Sequence, residues 1–98
     1  PQILTGGLAC YRIYQTADGR HLTVAALEPG FFSRLCELLD LADLTDRQYD
    51  GDAQEEIGDA LAKRLASKSL PDWLEVFDGE DVSVGPVATL EEAATELA

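Results

Sequence analysis

A chain of 98 residues builds one small domain, and an apolar fraction of 46% is enough to give it a core and to weigh against disorder. Against 7 Lys and Arg stand 19 Asp and Glu, a formal net charge of -12 that argues against nucleic acid or an anionic membrane as a partner. No signal-peptide pattern and no apolar run of bilayer length is present, so a cytoplasmic setting is expected; the start at Pro1 rather than Met reads as a piece of something longer.

Residues 1–9 read as a linker-like entry segment, with Gly6 and Gly7 marking a loop. From Cys10 to Gln15, Tyr11 and Ile13 alternate with Arg12 and Tyr14, which is the period of a strand. Ala17-Asp18-Gly19 then reads as a hairpin turn in which Gly19 takes a positive φ. On the return strand Leu22, Val24 and Ala26 share one face, and His21, Thr23, Ala25 and Leu27 the other. Pro29 suits the first turn of a helix, where its missing N–H is not needed. Phe31, Phe32, Leu35, Cys36, Leu38 and Leu39 follow at helical spacing, so this helix buries a broad stripe.

Asp40 to Asp52 reads as an acidic loop, and Asp52 with Glu55 has the form of a capping box. The helix it opens turns Ile57, Leu61 and Leu65 inward and carries Lys63, Arg64 and Lys68 toward its C-terminal end, where cations are favoured. Ser69 caps a short helix holding Pro71, Trp73, Leu74 and Phe77, and Asp78-Gly79 ends it. Val82 and Val84 read as a third strand. Thr89 with Glu92 forms a further capping box, for a last helix of Leu90, Ala93, Ala94 and Leu97. The expected fold is therefore α+β: one domain over 1–98, with a small antiparallel sheet of hairpin plus third strand packed with three to four helices.

Few groups here carry chemistry. Cys10 and Cys36 lack metal-ligand spacing and, with a single His in the chain, form no zinc set; they read as reduced core thiols. His21 follows the turn with no nucleophile or acid at a recognised spacing, and reads as a surface or edge-strand residue. The run from Asp46 to Asp52 fails as a calcium loop, because its third position is Gln48 and its twelfth is Ile57 where a bidentate Glu is required, so no metal is expected. Trp73 and Phe77 read as core anchors or an interface, and Gly6-Gly7 is too little for a phosphate loop. Glu28 is different. At the mouth of a helix it either interacts with the free backbone N–H groups or points away toward a partner group.

The order of hairpin (Tyr11 to Arg20, with Thr16-Ala17-Asp18-Gly19), strand, then Leu27-Glu28-Pro29-Gly30-Phe31-Phe32 resembles the small domain of the alpha-methylacyl-CoA racemases, a branch of the family III CoA-transferase (CaiB/BaiF-like) superfamily. The resemblance begins at Leu4-Thr5-Gly6-Gly7 and returns at Asp72-Trp73 with Val76-Phe77, and at Val84-Gly85-Pro86-Val87 with Leu90-Glu91-Glu92-Ala93. It is weakest from Leu41 to Ser69, a helical segment of variable sequence. The chain departs from the family at Gly85, where Thr is frequent, and at His21, where an aromatic residue is common.

The resemblance implies proton exchange alpha to the carbonyl of an acyl-CoA thioester. One group removes the proton from one face, another returns it on the opposite face, and the enolate is stabilised between them. The family takes a His and an Asp for this from its large domain, and its Glu-Pro glutamate, here Glu28, partners that His. Tyr11, Leu27 and Leu4 match positions that face the acyl chain, although ordinary core packing would also explain them. The family is an interlocked homodimer that acts on the acyl-CoA substrate without a metal or redox cofactor, with the coenzyme A site in the large domain. This chain alone is then expected to be inactive. One rival is the small domain of a family III CoA-transferase; many of these carry a Gly-rich loop near the position of Glu28-Pro29, which this chain lacks. The other is an acidic, non-catalytic interaction domain.

Overall fold

The computed structural model describes residues 8–89. Its sheet runs in the order β1-β2-β3, with β1 at Tyr11–Gln15, β2 at His21–Ala25 and β3 at Val84–Pro86, all antiparallel. Helices α1 (Pro29–Leu38), α2 (Gln54–Leu65) and α3 (Leu70–Phe77) complete the α+β arrangement that the patterning predicts. The predicted capping box at Thr89 and Glu92 and the last helix beyond it lie outside the described residues, or reach beyond them, as does the entry segment through residue 7.

The hairpin forms where local chemistry demands it. Gly19 takes φ 77°, the left-handed conformation that a side chain disfavours. Thr16 Oγ1 donates to Asp18 Oδ1, while Thr16 N–H reaches Arg20 O at 2.8 Å. The pairing runs from Tyr11 opposite Ala25 to Gln15 opposite His21. This register turns Tyr14, Leu22 and Val24 into the core and leaves Ile13 38% exposed on the other face. The turn is also anchored from outside: Asp18 Oδ1 accepts from Leu70 N–H at 3.1 Å, and Lys68 O accepts from Ala17 N–H at 2.8 Å.

The helices bury the stripes expected of them. Phe32, Leu35 and Cys36 of α1 and Ile57, Leu61 and Leu65 of α2 are fully buried. On α3 the Ser69 hydroxyl accepts from Asp72 N–H at 3.3 Å, satisfying one orphan donor of the first turn. Trp73 and Phe77 stack at 5.5 Å between centroids, and the indole N–H donates to Leu65 O at 2.8 Å, joining α3 to the end of α2. They are core anchors, and Leu74 beside them is 39% exposed.

Three local expectations give way. Asp40 to Asp52 is not an irregular loop but two 3₁₀ helices, Ala42–Arg47 and Gly51–Ala53. Leu41 and Leu44 are three residues apart, the repeat of a 3₁₀ helix, and pack into or against the core. The capping box of Asp52 and Glu55 does not form. Asp50 accepts from Asp52 N–H at 3.0 Å instead, and α2 grows out of that turn with Ala53 at its N-cap and no side-chain cap. Val82 is buried but precedes the third strand, because Ser83 at φ 54° interrupts the extended backbone. Pro86 is tolerated in β3 because β3 is an edge.

Candidate functional site

The register of the hairpin brings three of the four predicted site residues to one end of the sheet. Tyr11 opens β1, opposite Ala25 at the end of β2, and Leu27 and Glu28 follow directly. Tyr11 is half-buried and Leu27 is 42% exposed, so Leu27 is not a core residue. Leu4 lies outside the described residues. His21 sits at the opposite end of β2 and is exposed, remote from this group.

Glu28 occupies the N-cap position of α1 with φ -75° and ψ 138°, yet its side chain makes no capping hydrogen bond. It is exposed. The first-turn work falls to its main chain: Glu28 O accepts from Phe32 N–H at 3.1 Å, and Pro29 removes one donor that would otherwise need a partner. The carboxylate is thus left exposed at the helix mouth with no hydrogen bond to the first turn.

Sequence reasoning missed the residues that hold this corner. Gln48, 6% exposed, donates from Nε2 to Ala26 O at 3.1 Å and to Leu27 O at 3.0 Å. The Tyr49 hydroxyl donates to Leu27 O as well. Gln54 stands behind them: its Nε2 donates to Gln48 O at 2.9 Å and Asp50 O at 2.8 Å, and its Oε1 accepts from Ala9 N–H at 2.7 Å. No spacing or periodicity marks these three, because each has at least one partner more than 20 residues away in the chain. A Gln-Tyr pair inside an acidic run is the only signal, and it is weak.

Other titratable groups near the core take structural roles. Burial pushes the Cys36 thiol up to about 11, which makes it a poor nucleophile, and Cys10 is buried and free like it. Burial likewise raises the Tyr14 hydroxyl to about 12, with Arg12 nearby opposing the shift, and that hydroxyl donates to Ala9 O at 2.6 Å. Among the described residues no group of three or more His, Cys, Asp or Glu side chains could hold a metal ion, and no helix is long and apolar enough to cross a membrane.

The sequence profile of CoA-transferase family III matches residues 3–97. The chain is 38% identical over 91 residues to alpha-methylacyl-CoA racemase of Homo sapiens, covering 92% of this chain and 24% of that protein. The alpha-methylacyl-CoA racemase of Mus musculus is likewise 38% identical over 92 residues, 93% of this chain and 24% of that protein. Succinyl-CoA:glutarate CoA-transferase of Mus musculus is 26% identical over 97 residues, 93% of this chain and 22% of that protein. The chain spans about a quarter of the length of these curated relatives.

Proposed function

The chain belongs to CoA-transferase family III, and on that premise we propose that it is the small domain of an alpha-methylacyl-CoA racemase-like enzyme, contributing part of an acyl-CoA site for alpha-proton exchange. The observation that carries this reading is Glu28, an exposed carboxylate at a helix mouth that does not cap its helix. The higher identity to the two racemases, 38% against 26% for the transferase, favours the racemase branch.

In this reading a His and an Asp supplied by the large domain exchange the proton on opposite faces of the thioester's alpha carbon. Glu28 faces that His. A carboxylate against an imidazole fixes its tautomer and favours its protonated form, which is the form that returns the proton. Tyr11 and Leu27 offer apolar area at the same end of the sheet, which suits an acyl chain because such a surface needs little directionality. The substrate is the coenzyme A thioester, the working unit is a homodimer, and the chemistry asks for no metal or redox cofactor.

The test is Glu28→Gln in the complete enzyme, read as loss of deuterium from the alpha position of a 2-methylacyl-CoA. The variant keeps size and hydrogen bonding but removes the charge, so turnover should fall by about ten- to a thousandfold, with the melting temperature unchanged. Unchanged turnover would reduce Glu28 to a structural residue. The 98-residue chain alone should exchange no faster than buffer. Exchange that tracks with it through purification would sink the partial-site reading. Acyl-CoA transfer to a free acid, without exchange at the alpha carbon, would point to the transferase instead.

A further inference from the structure

We propose that Gln48 is a positioning residue for Glu28, with Tyr49 as its auxiliary; this rests on the reading of Glu28 as a site carboxylate. The direction in which a side chain leaves the backbone is set by the two peptide planes that flank its Cα. Both planes at Glu28 are held. The plane before it carries Leu27 O, which accepts from Gln48 Nε2 at 3.0 Å and from the Tyr49 hydroxyl. The plane after it carries Glu28 O, which accepts from Phe32 N–H at 3.1 Å.

Satisfying a carbonyl takes one donor, and Leu27 O has two, filling both lone pairs. The second donor adds direction. Gln48 gives its other N–H to Ala26 O at 3.1 Å, so one amide grips two consecutive carbonyls and both of its donors are used. The residue that carries this amide is itself held, because Gln48 is 6% exposed and its main-chain carbonyl accepts from Gln54 Nε2 at 2.9 Å. Gln54 in turn accepts from Ala9 N–H at 2.7 Å, just ahead of β1. A chain of hydrogen bonds therefore runs from the start of the hairpin, through the 3₁₀ segment, to the peptide that precedes Glu28.

What this arrangement leaves loose is equally informative. The Glu28 side chain has no capping bond and is exposed. The frame is fixed while the carboxylate stays available, as a supporting shell requires. Acid–base geometry is demanding enough for such a frame to matter, since a displacement of about 1 Å can cost about a hundredfold in rate.

The experiment uses the complete enzyme and compares Gln48→Met, which keeps length without donors, Tyr49→Phe, which removes one exposed hydroxyl, and Glu28→Gln, singly and combined. The readouts are kcat and KM for alpha-deuterium exchange. Gln48→Met should lower kcat by about ten- to a hundredfold with KM little changed, and Tyr49→Phe by about two- to fivefold. In the Glu28→Gln background neither should add to the loss, because the group being positioned is already disabled. If Gln48→Met does not fold, Tyr49→Phe carries the same comparison. Losses that multiply in the Glu28→Gln background, or a lowered melting point with normal kcat, overturn the positioning role while leaving the proposed function standing. Normal turnover of Glu28→Gln alone overturns both.

Discussion

Gly58 sits inside α2, where alanine would ordinarily stabilise the helix by about 1 kcal/mol. Here the gain is opposed. A Cβ at Gly58 would lie 2.3 Å from Arg12 Nη1 and 3.3 Å from its Cζ, so the guanidinium would have to withdraw by more than about an ångström. Arg12 is half-buried on the inward face of β1, with its Cζ 6.0 Å from the centre of the Tyr14 ring. Leaving that place costs the cation–ring attraction, about 0.5–2 kcal/mol. It also disturbs hydrogen bonding by a charged group, which is worth about 1.5–3 kcal/mol. The balance is a net loss of about 1–4 kcal/mol for Gly58→Ala, or a melting point lower by about 5 to 30 °C for a domain of this size. Thermal unfolding followed by circular dichroism measures it. In an Arg12→Met background the obstruction is gone, and the same Gly58→Ala change should stabilise by up to about 1 kcal/mol. A Gly58→Ala chain that melts at or above the parent would show that Arg12 swings away freely, and the packing of β1 on α2 would need a different account.

The Tyr14 hydroxyl has an ordinary value of 10.0 and is raised to about 12 by burial. Its contribution is therefore complete below pH 10 and is lost as pH rises toward 12, by about 2–3 kcal/mol; urea unfolding across that range should show the decline, and Tyr14→Phe should abolish it. At the acid end, Arg34 holds Glu80 in a fork, Nε to Oε1 at 2.8 Å and Nη2 to Oε2 at 3.1 Å, and draws its carboxyl below the usual 4.5. That contribution is present above the ordinary carboxylate value and fades as pH falls through the depressed one, so Glu80→Gln should flatten the acid limb of stability against pH; an unchanged limb would show the fork to be idle.

The elements that were legible in the sequence are those whose causes are local. Asp18-Gly19 between two alternating runs specifies a hairpin, and Ser69 three residues ahead of Asp72 specifies a cap; both signals and their consequences lie within one turn of chain. Pro29 marks a helix start for the same reason. The failures have the opposite character. Asp52 and Glu55 carry the right pattern for a capping box, but Asp50 captures the Asp52 N–H first, a competition the pattern does not reveal. Gln48 and Gln54 act on partners up to 45 residues away, and nothing in their neighbourhood distinguishes them from solvated polar residues. Glu28 stands between these cases. Its position at a strand-to-helix junction was readable, while the fact that it leaves its helix uncapped required the structure.

That same geometry limits what this chain can do alone. If Glu28 works against an imidazole, the partner is not His21, although His21 is the only histidine in the sequence. His21 begins β2 and Glu28 follows its far end. At a rise of about 3.3 Å per residue, the extended backbone between them separates the two by about 20 Å, several times the reach of a hydrogen bond. The strand cannot fold back to shorten this, because β1 and β3 pair with it on either edge. On the proposed reading, the imidazole that meets Glu28 at the corner built by Gln48 and Gln54 would come from outside these 98 residues. Replacing His21 with Phe should accordingly leave proton exchange in the complete enzyme unaltered. A large loss of kcat in His21→Phe, with the fold intact, would mean that the acid–base pair had been assigned to the wrong end of the sheet.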